Sequence, residues 1–133
     1  MHHIFFVSVL MLFSMTASGE DAIKCNPNGT QLELNACANE DFEKADKQLN
    51  QTYQALIKQE SSDTLFVSKL REAQKAWIVF RDADLAAQFA CKEKDVRICW
   101  GSMYPMSYLY RKAELTKERT KHLQDLLENG HGQ

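Results

Sequence analysis

Residues 30–56 read TQLELNACANEDFEKADKQLNQTYQAL, and this stretch decides the fold. Leu34, Ala38, Phe42, Ala45, Leu49, Tyr53 and Leu56 recur at steps of three and four, which lays one apolar stripe along a helix. The start of that helix is marked. Asn26-Pro27-Asn28-Gly29 is a turn, and Thr30-Gln31-Leu32-Glu33 fits a capping box. In such a box the threonine hydroxyl and the glutamate carboxylate each accept from a backbone N–H that the first helical turn leaves free. Further along, no glycine and no proline occurs from Thr30 to Trp100. A sheet protein of this size needs frequent turn residues, so that gap predicts long helices.

Ser61-Ser62-Asp63-Thr64 interrupts the pattern with residues that favour turns and caps. A second helix is expected beyond it, with Phe66, Leu70, Ala73, Trp77 and Phe80 on one face. A further set, Val79, Ala83, Ala86, Ala87 and Ala90, is expected to widen its buried surface and let a neighbour approach closely. Cys91 to Pro105 has no comparable periodicity and is expected as a loop. A third helix is expected from about Met106 to Glu128, with Met106, Leu109, Ala113, Thr116, Thr120, Leu123 and Leu127 in line and Asn129-Gly130 at its end. Short connections make sequential helices antiparallel neighbours. The expected fold is all-α: three long helices in an antiparallel up-down bundle, with a hairpin of the first two and a disulfide-tied N-terminal arm and loop.

The chain has 133 residues and a formal net charge of -2, which allows one domain. Residues 1–19 hold no charged residue; an apolar run from Ile4 to Phe13 is followed by the small residues Ala17-Ser18-Gly19. This is the pattern of a secretory signal peptide, and the run is shorter than the ~20 residues a membrane-spanning helix needs. Residues 20–133 are therefore expected as a single exported domain, periplasmic or secreted, with its core at about 25–127 and no membrane attachment after cleavage. Ala22-Ile23-Lys24 before Cys25 lacks the small-residue box that lipidation needs. Nucleic acid is excluded as a partner, because no basic excess exists to neutralise a phosphate backbone.

Export changes the meaning of the four cysteines, Cys25, Cys37, Cys91 and Cys99: an even number in an oxidising compartment suggests two disulfides. No Cys-x-x-Cys spacing is present, so redox catalysis is not expected. His122 and His131 show no ligand spacing to the cysteines, and neither a metal nor a cofactor is expected. Local pairing, Cys25–Cys37 with Cys91–Cys99, would pin the arm and the loop, each closure contributing roughly 3 kcal/mol in the loop-entropy model. Crossed pairing stays open, because a hairpin turning near Ser62 brings Cys37 opposite the end of the second helix.

Several blocks together resemble a known family. They are Cys25; Gln31-Leu32-Glu33-Leu34-Asn35-Ala36-Cys37-Ala38; and Ala45-Asp46-x-x-Leu49-Asn50-x-x-Tyr53. Leu70-Arg71-x-Ala73-Gln74-x-Ala76-Trp77-x-x-Phe80-Arg81-Asp82, Gly101-Ser102-x-x-Pro105-Met106 and Leu115-Thr116-x-x-Arg119 continue the series. From about Cys25 to Leu127 the chain resembles the LprI-like lysozyme inhibitor N-terminal domain family. The resemblance implies a small exported bacterial helical domain with disulfides, named for a lysozyme-inhibiting member. That family usually has one cysteine shortly after the Arg-Asp pair and another before the Leu-Thr block; Leu85 and Tyr110 stand there in this chain. Both are missing together while Cys91 and Cys99 are present, which supports the local pairing as an exchange of one interhelical disulfide for one that closes a loop.

Three groups of residues are candidates for function. Asp46, Asn50, Gln74, Arg81, Asp82 and Arg119 are polar positions within helices. Asp46 and Asp82 could act as an acid/base pair. With no nucleophile–base pair and no phosphate loop, the six are read instead as a structural network that fixes helix register, arginine holding carboxylates. No catalytic residue is assigned, and Trp77 is read as core. The loop from Cys91 to Tyr104 offers Arg97, Trp100 and Tyr104, residue types enriched in binding anchors, on a constrained segment. Trp100 and Tyr104 could equally cap the open end of the core.

Charge supplies the third group. Glu20 to Asp63 holds nine acidic and four basic residues, and Thr64 to Gln133 holds twelve basic and nine acidic. Glu33, Glu40 and Asp41 on the first helix could draw a cationic partner such as lysozyme, although acids near a helix N-terminus are also simply favourable there. It is the family resemblance, rather than the charge, that implies a non-enzymatic exported inhibitor of lysozyme acting by protein contact; a module of the same fold with another envelope or extracellular partner is the alternative.

Overall fold

The computed structural model describes residues 22–132. The expected signal segment, 1–19, lies outside the described residues. Among the described residues there is no strand. The elements are α1 (Gln31–Gln59), α2 (Thr64–Gln88), a short α3 (Arg97–Trp100), a 3-10 turn (Gly101–Met103) and α4 (Tyr104–Asn129). No helix among them is long and apolar enough to cross a membrane.

Each long helix starts for a local reason. Thr30 caps α1 in a complete capping box: its hydroxyl accepts from the Glu33 N–H, and the Glu33 carboxylate accepts from the Thr30 N–H at 2.7 Å. A Cβ on Gly29 would collide with that carboxylate, so glycine is what lets the turn close over the box. Asp63 caps α2 by accepting from the Phe66 N–H at 2.9 Å. The start of α4 has no side-chain cap; Pro105 stands in its first turn, where its fixed φ suits a helix and its missing N–H costs nothing.

Cross-helix contacts give the direction of each element. Gln31 reaches Met106, Asp41 pairs with Lys117, and Gln59 donates to the Leu127 carbonyl at 3.0 Å, so α1 and α4 run parallel. Gln88 meets Arg111 and Gln74 meets Arg119, so α2 is antiparallel to α4. The bundle is therefore up-down-up. Its tightest packing is between α1 and α4 rather than within an α1–α2 hairpin. Small buried residues explain this: Ala38, Ala45 and Thr52 on α1 face a helix carrying Ala113, Thr116 and Thr120, and side chains of that size let two backbones come close. Thr116 and Thr120 are bonded to the carbonyls one turn back, Lys112 and Thr116, so their burial strands no hydroxyl.

Leu49, Leu56, Leu70 and Leu123 form the core where all three helices meet, with Tyr53, Ile57, Phe66, Trp77, Leu126 and Leu127 packed around them. At the adjoining end the chain folds back past Gly130. The His131 ring stacks on Phe66 with centroids 4.0 Å apart and lies 3.5 Å from an Asp63 carboxylate oxygen.

Two expectations are corrected. The loop is shorter than 91–105, because α3 and the 3-10 turn occupy Arg97 to Met103 and α4 begins at Tyr104. More consequential is the rotation of α2. Its buried residues are Leu70, Gln74, Arg81 and Leu85, whereas Ala73, Val79, Phe80, Ala83, Ala86, Ala87 and Ala90 are exposed. The reason is area: the inward face carries Phe66, Leu70, Trp77 and Leu85 plus the aliphatic stems of Gln74 and Arg81, and a face built largely of alanine buries less per residue.

Two large-to-small substitutions separate the buried side of the bundle from the outer face of α2. Leu56→Ala should lower unfolding free energy by about 2–5 kcal/mol in a urea titration, because Leu56 is fully buried. Phe80→Ala should change it by less than about 0.5 kcal/mol. Similar losses from both would show that α2 packs the other way round.

Candidate functional site

The start of α1, the end of α2 and the start of α4 lie together, as the Gln31–Met106 and Gln88–Arg111 contacts show. Both disulfides belong to this end. Cys25–Cys37 ties the arm onto α1, and Cys91–Cys99 closes the segment between α2 and α3. No cysteine is free among the described residues. The residues of the loop and the acidic residues of α1, two separate proposals in the sequence, thus share one end of the bundle.

Phe89, which ends α2, organises the loop. Its ring meets Trp100, Tyr104 and Tyr108 at centroid distances of 5.2, 5.8 and 5.6 Å, the first two edge-on. The Trp100 indole N–H donates to the Phe89 carbonyl at 3.2 Å, one of the acceptors that a helix end leaves open. Trp100 therefore does cap the end of α2, yet the residue remains 42% exposed. Ile98 at 70% and Met103 at 53% exposure stand on the same short segment. Burial pushes the Tyr108 hydroxyl up from its ordinary range, with the Asp82 charge acting in the same direction. Sequence reasoning missed Phe89, Tyr108, Ile98 and Met103. The spacing of Tyr104 and Tyr108 was a usable signal, since positions four apart share a helix face.

The charged candidates are partly committed. Arg97 forms a forked pair with Asp95, at 3.1 and 2.9 Å, and that guanidinium holds the Asp95 carboxyl below the usual carboxylate range. Asp41 accepts from Lys117 through both oxygens at 2.8 Å. Glu33 serves the capping box, and Glu40 is exposed. Glu33 and Glu40 line one open groove with Ala22, Ile23 and Lys24 of the arm.

The polar helix positions split in two. Arg81 is buried, donating to Asp82 at 2.9 Å and to the Thr116 hydroxyl at 3.4 Å, with its guanidinium over the Trp77 ring at 5.1 Å and near Phe42 at 5.9 Å. Arg119 donates to the Gln74 carbonyl oxygen at 3.0 Å and also approaches Trp77. Burial draws the Arg119 guanidinium below its ordinary value. Gln74, Arg81, Asp82 and Arg119 thus join α2 to α4. Asp46 and Asn50 bond only one turn apart on α1, at 3.2 Å, and stand outside that network. Among the described residues no buried side-chain polar atom lacks a partner, and no group of His, Cys, Asp and Glu could hold a metal.

The Glu33 carboxyl is held below its usual range first by the Thr30 backbone N–H, then by the Thr30 hydroxyl and the Asn26 amide. A depressed carboxylate stabilises the fold above its unfolded pKa and loses that contribution as pH falls through the folded value. Glu33→Gln should therefore lower the melting temperature at neutral pH, and the gap from the parent should close as pH falls through and below the ordinary carboxylate range. A gap that stays constant with pH would remove the carboxylate from the account.

With this geometry in place, comparison with known proteins is direct. The family model of lysozyme inhibitor LprI matches residues 23–123, from the arm through most of α4. An uncharacterized protein of Rhizobium meliloti (strain 1021) is 32% identical, the match covering 79% of each chain. No solved structure matches significantly. The matched span takes in the capping box, both disulfides, the Phe89–Trp100 cluster and the Arg81 network, and the chain belongs to the lysozyme inhibitor LprI family.

Proposed function

We propose that the protein is an exported, non-enzymatic inhibitor of lysozyme that binds by protein–protein contact through the disulfide-tied end of its bundle. One observation carries the reading beyond the family: Ile98, inside the loop closed by Cys91–Cys99, and Trp100 and Met103, directly after it, are exposed together, and the stretch is held to the end of α2 by the Trp100–Phe89 hydrogen bond. An aromatic anchor with aliphatic neighbours supplies the kind of contact that dominates binding energy, and a segment already fixed loses little entropy on docking. Glu33, Glu40 and Asp41 at the same end add negative potential that speeds encounter with a cationic enzyme. Arg97, already paired with Asp95, serves as a polar contact at the rim. The uncharged segment 1–19 supports delivery to the periplasm or beyond.

Titrating a fixed amount of lysozyme with the chain from residue 20 onward should reduce lytic activity to a stoichiometric endpoint. No effect at tens of micromolar against several lysozyme types would overturn the proposal and leave this surface to another envelope protein. Ile98→Asp should weaken inhibition by about tenfold or more, as should Trp100→Ala, without changing the helical circular dichroism spectrum. Retained inhibition in both variants would move the contact away from the loop.

A further inference from the structure

The outer face of α2 takes no part in the site above. Opposite Leu70, Gln74, Arg81 and Leu85, the helix turns Ala76, Val79, Phe80, Ala83, Ala86 and Ala87 to solvent. Val79 is 71% and Phe80 63% exposed. These positions recur at steps of three and four over about 17 Å of helix. Single exposed apolar side chains are ordinary, but a continuous strip on one helix face marks a contact.

The geometry points to a second copy of this chain as the occupant, with α2 packed against α2, antiparallel, about a two-fold axis near Val79. The strip is self-complementary. Reversing it sets Ala76 of one copy against Ala83 of the other and brings Val79 against Phe80. Alanine on both sides of that pair lets the helix axes approach to about 8 Å. Charge then selects the direction. Lys75 and Asp82 are seven residues apart, so they lie along one edge of the strip, two turns apart and on opposite sides of its centre. Antiparallel packing keeps this edge of both copies on the same side of the seam, and each Lys75 then lies about 3 Å along the axis from direct opposition to the other copy's Asp82, within a lysine's reach, giving two symmetric ion pairs; parallel packing puts the two edges on opposite sides and forms neither. Lys75 is exposed, and the Asp82 side chain is 48% exposed and thus open to an outside partner. A two-fold interface uses the same patch twice and so needs this internal complementarity; contact with an unrelated protein does not. Six residues a side make a small interface, so association is weak, with a Kd on the order of 10–100 µM.

Sedimentation of the chain from residue 20 onward, from micromolar to several hundred micromolar, should show a reversible monomer–dimer equilibrium. Phe80→Glu should weaken dimerisation by about tenfold or more and leave circular dichroism unchanged. Val79→Cys should give a covalent dimer under mild oxidation, because the two positions meet at the axis. Leu65→Cys, at a position 70% exposed on the same helix but far from the axis, should not. Monomer at every concentration, equal crosslinking of both cysteine variants, or a dimer indifferent to Phe80→Glu would each overturn the proposal. So would a monomeric protein whose lysozyme inhibition is lost on Phe80→Glu, which would assign the face to a different protein.

Discussion

A guanidinium can leave water only if its charge and its donors are met, and Arg81, 7% exposed, sits between three helices under that constraint. Asp82 takes one N–H, the Thr116 hydroxyl on α4 another, and the rings of Trp77 on α2 and Phe42 on α1 face the cation. Lys112 joins from α4, 4.8 Å from the Phe42 ring centre and 3.8 Å from Asp82. Each partner comes from a fixed position on its helix, so the set is satisfied at one rotation of α2 and one axial register of α4. Gln74 and Leu85 turn inward with Arg81, and Val79 and Phe80 are carried to the outside. The exposed strip is thus the other side of the buried arginine.

That constraint also marks where sequence reading succeeds and fails. On α1 the apolar stripe from Leu34 to Leu56 is the buried stripe, and Thr30 and Glu33 form the expected box, because local periodicity and capping chemistry are settled within a few residues. The same holds for α4, whose expected line through Ala113, Thr116, Thr120 and Leu123 is its buried face. On α2 two apolar faces compete: periodicity alone does not separate them, the larger side chains favour the inward one, and Phe66, Leu70 and Trp77 of the expected face do pack inward while Ala73 and Phe80 do not. The deciding groups, Thr116, Lys112 and Phe42, lie on other helices, so no window on α2 contains the answer. The network had been legible as residue types, and Arg81, Asp82, Gln74 and Arg119 do connect; Asp46 and Asn50 do not, since nothing in their spacing distinguishes an interhelical bond from one along a single helix.

The loop was legible in a similar, partial way. Trp100 and Tyr104 were visible as aromatic residues near a constraint, but their arrangement depends on Phe89, which lies on the far side of Cys91. Capping and binding were opposed readings of Trp100 in the sequence. The structure reconciles them, because an indole can give its N–H to a helix-end carbonyl and still offer part of its ring to solvent. The acidic residues of α1 contribute less free charge than their number suggests, with Glu33 bound into a cap and Asp41 into a lysine pair.

Neither disulfide joins two long helices. Cys25 and Cys37 are 12 residues apart and Cys91 and Cys99 are 8 apart, each bridge closing a short loop between neighbours in the chain. Cysteines that pair in consecutive order can oxidise as soon as each short loop closes, before any helix has met another. Correct bridges then require no reshuffling, and the bundle can assemble afterwards around Leu49, Leu56, Leu70 and Leu123 on a chain whose covalent links are already final.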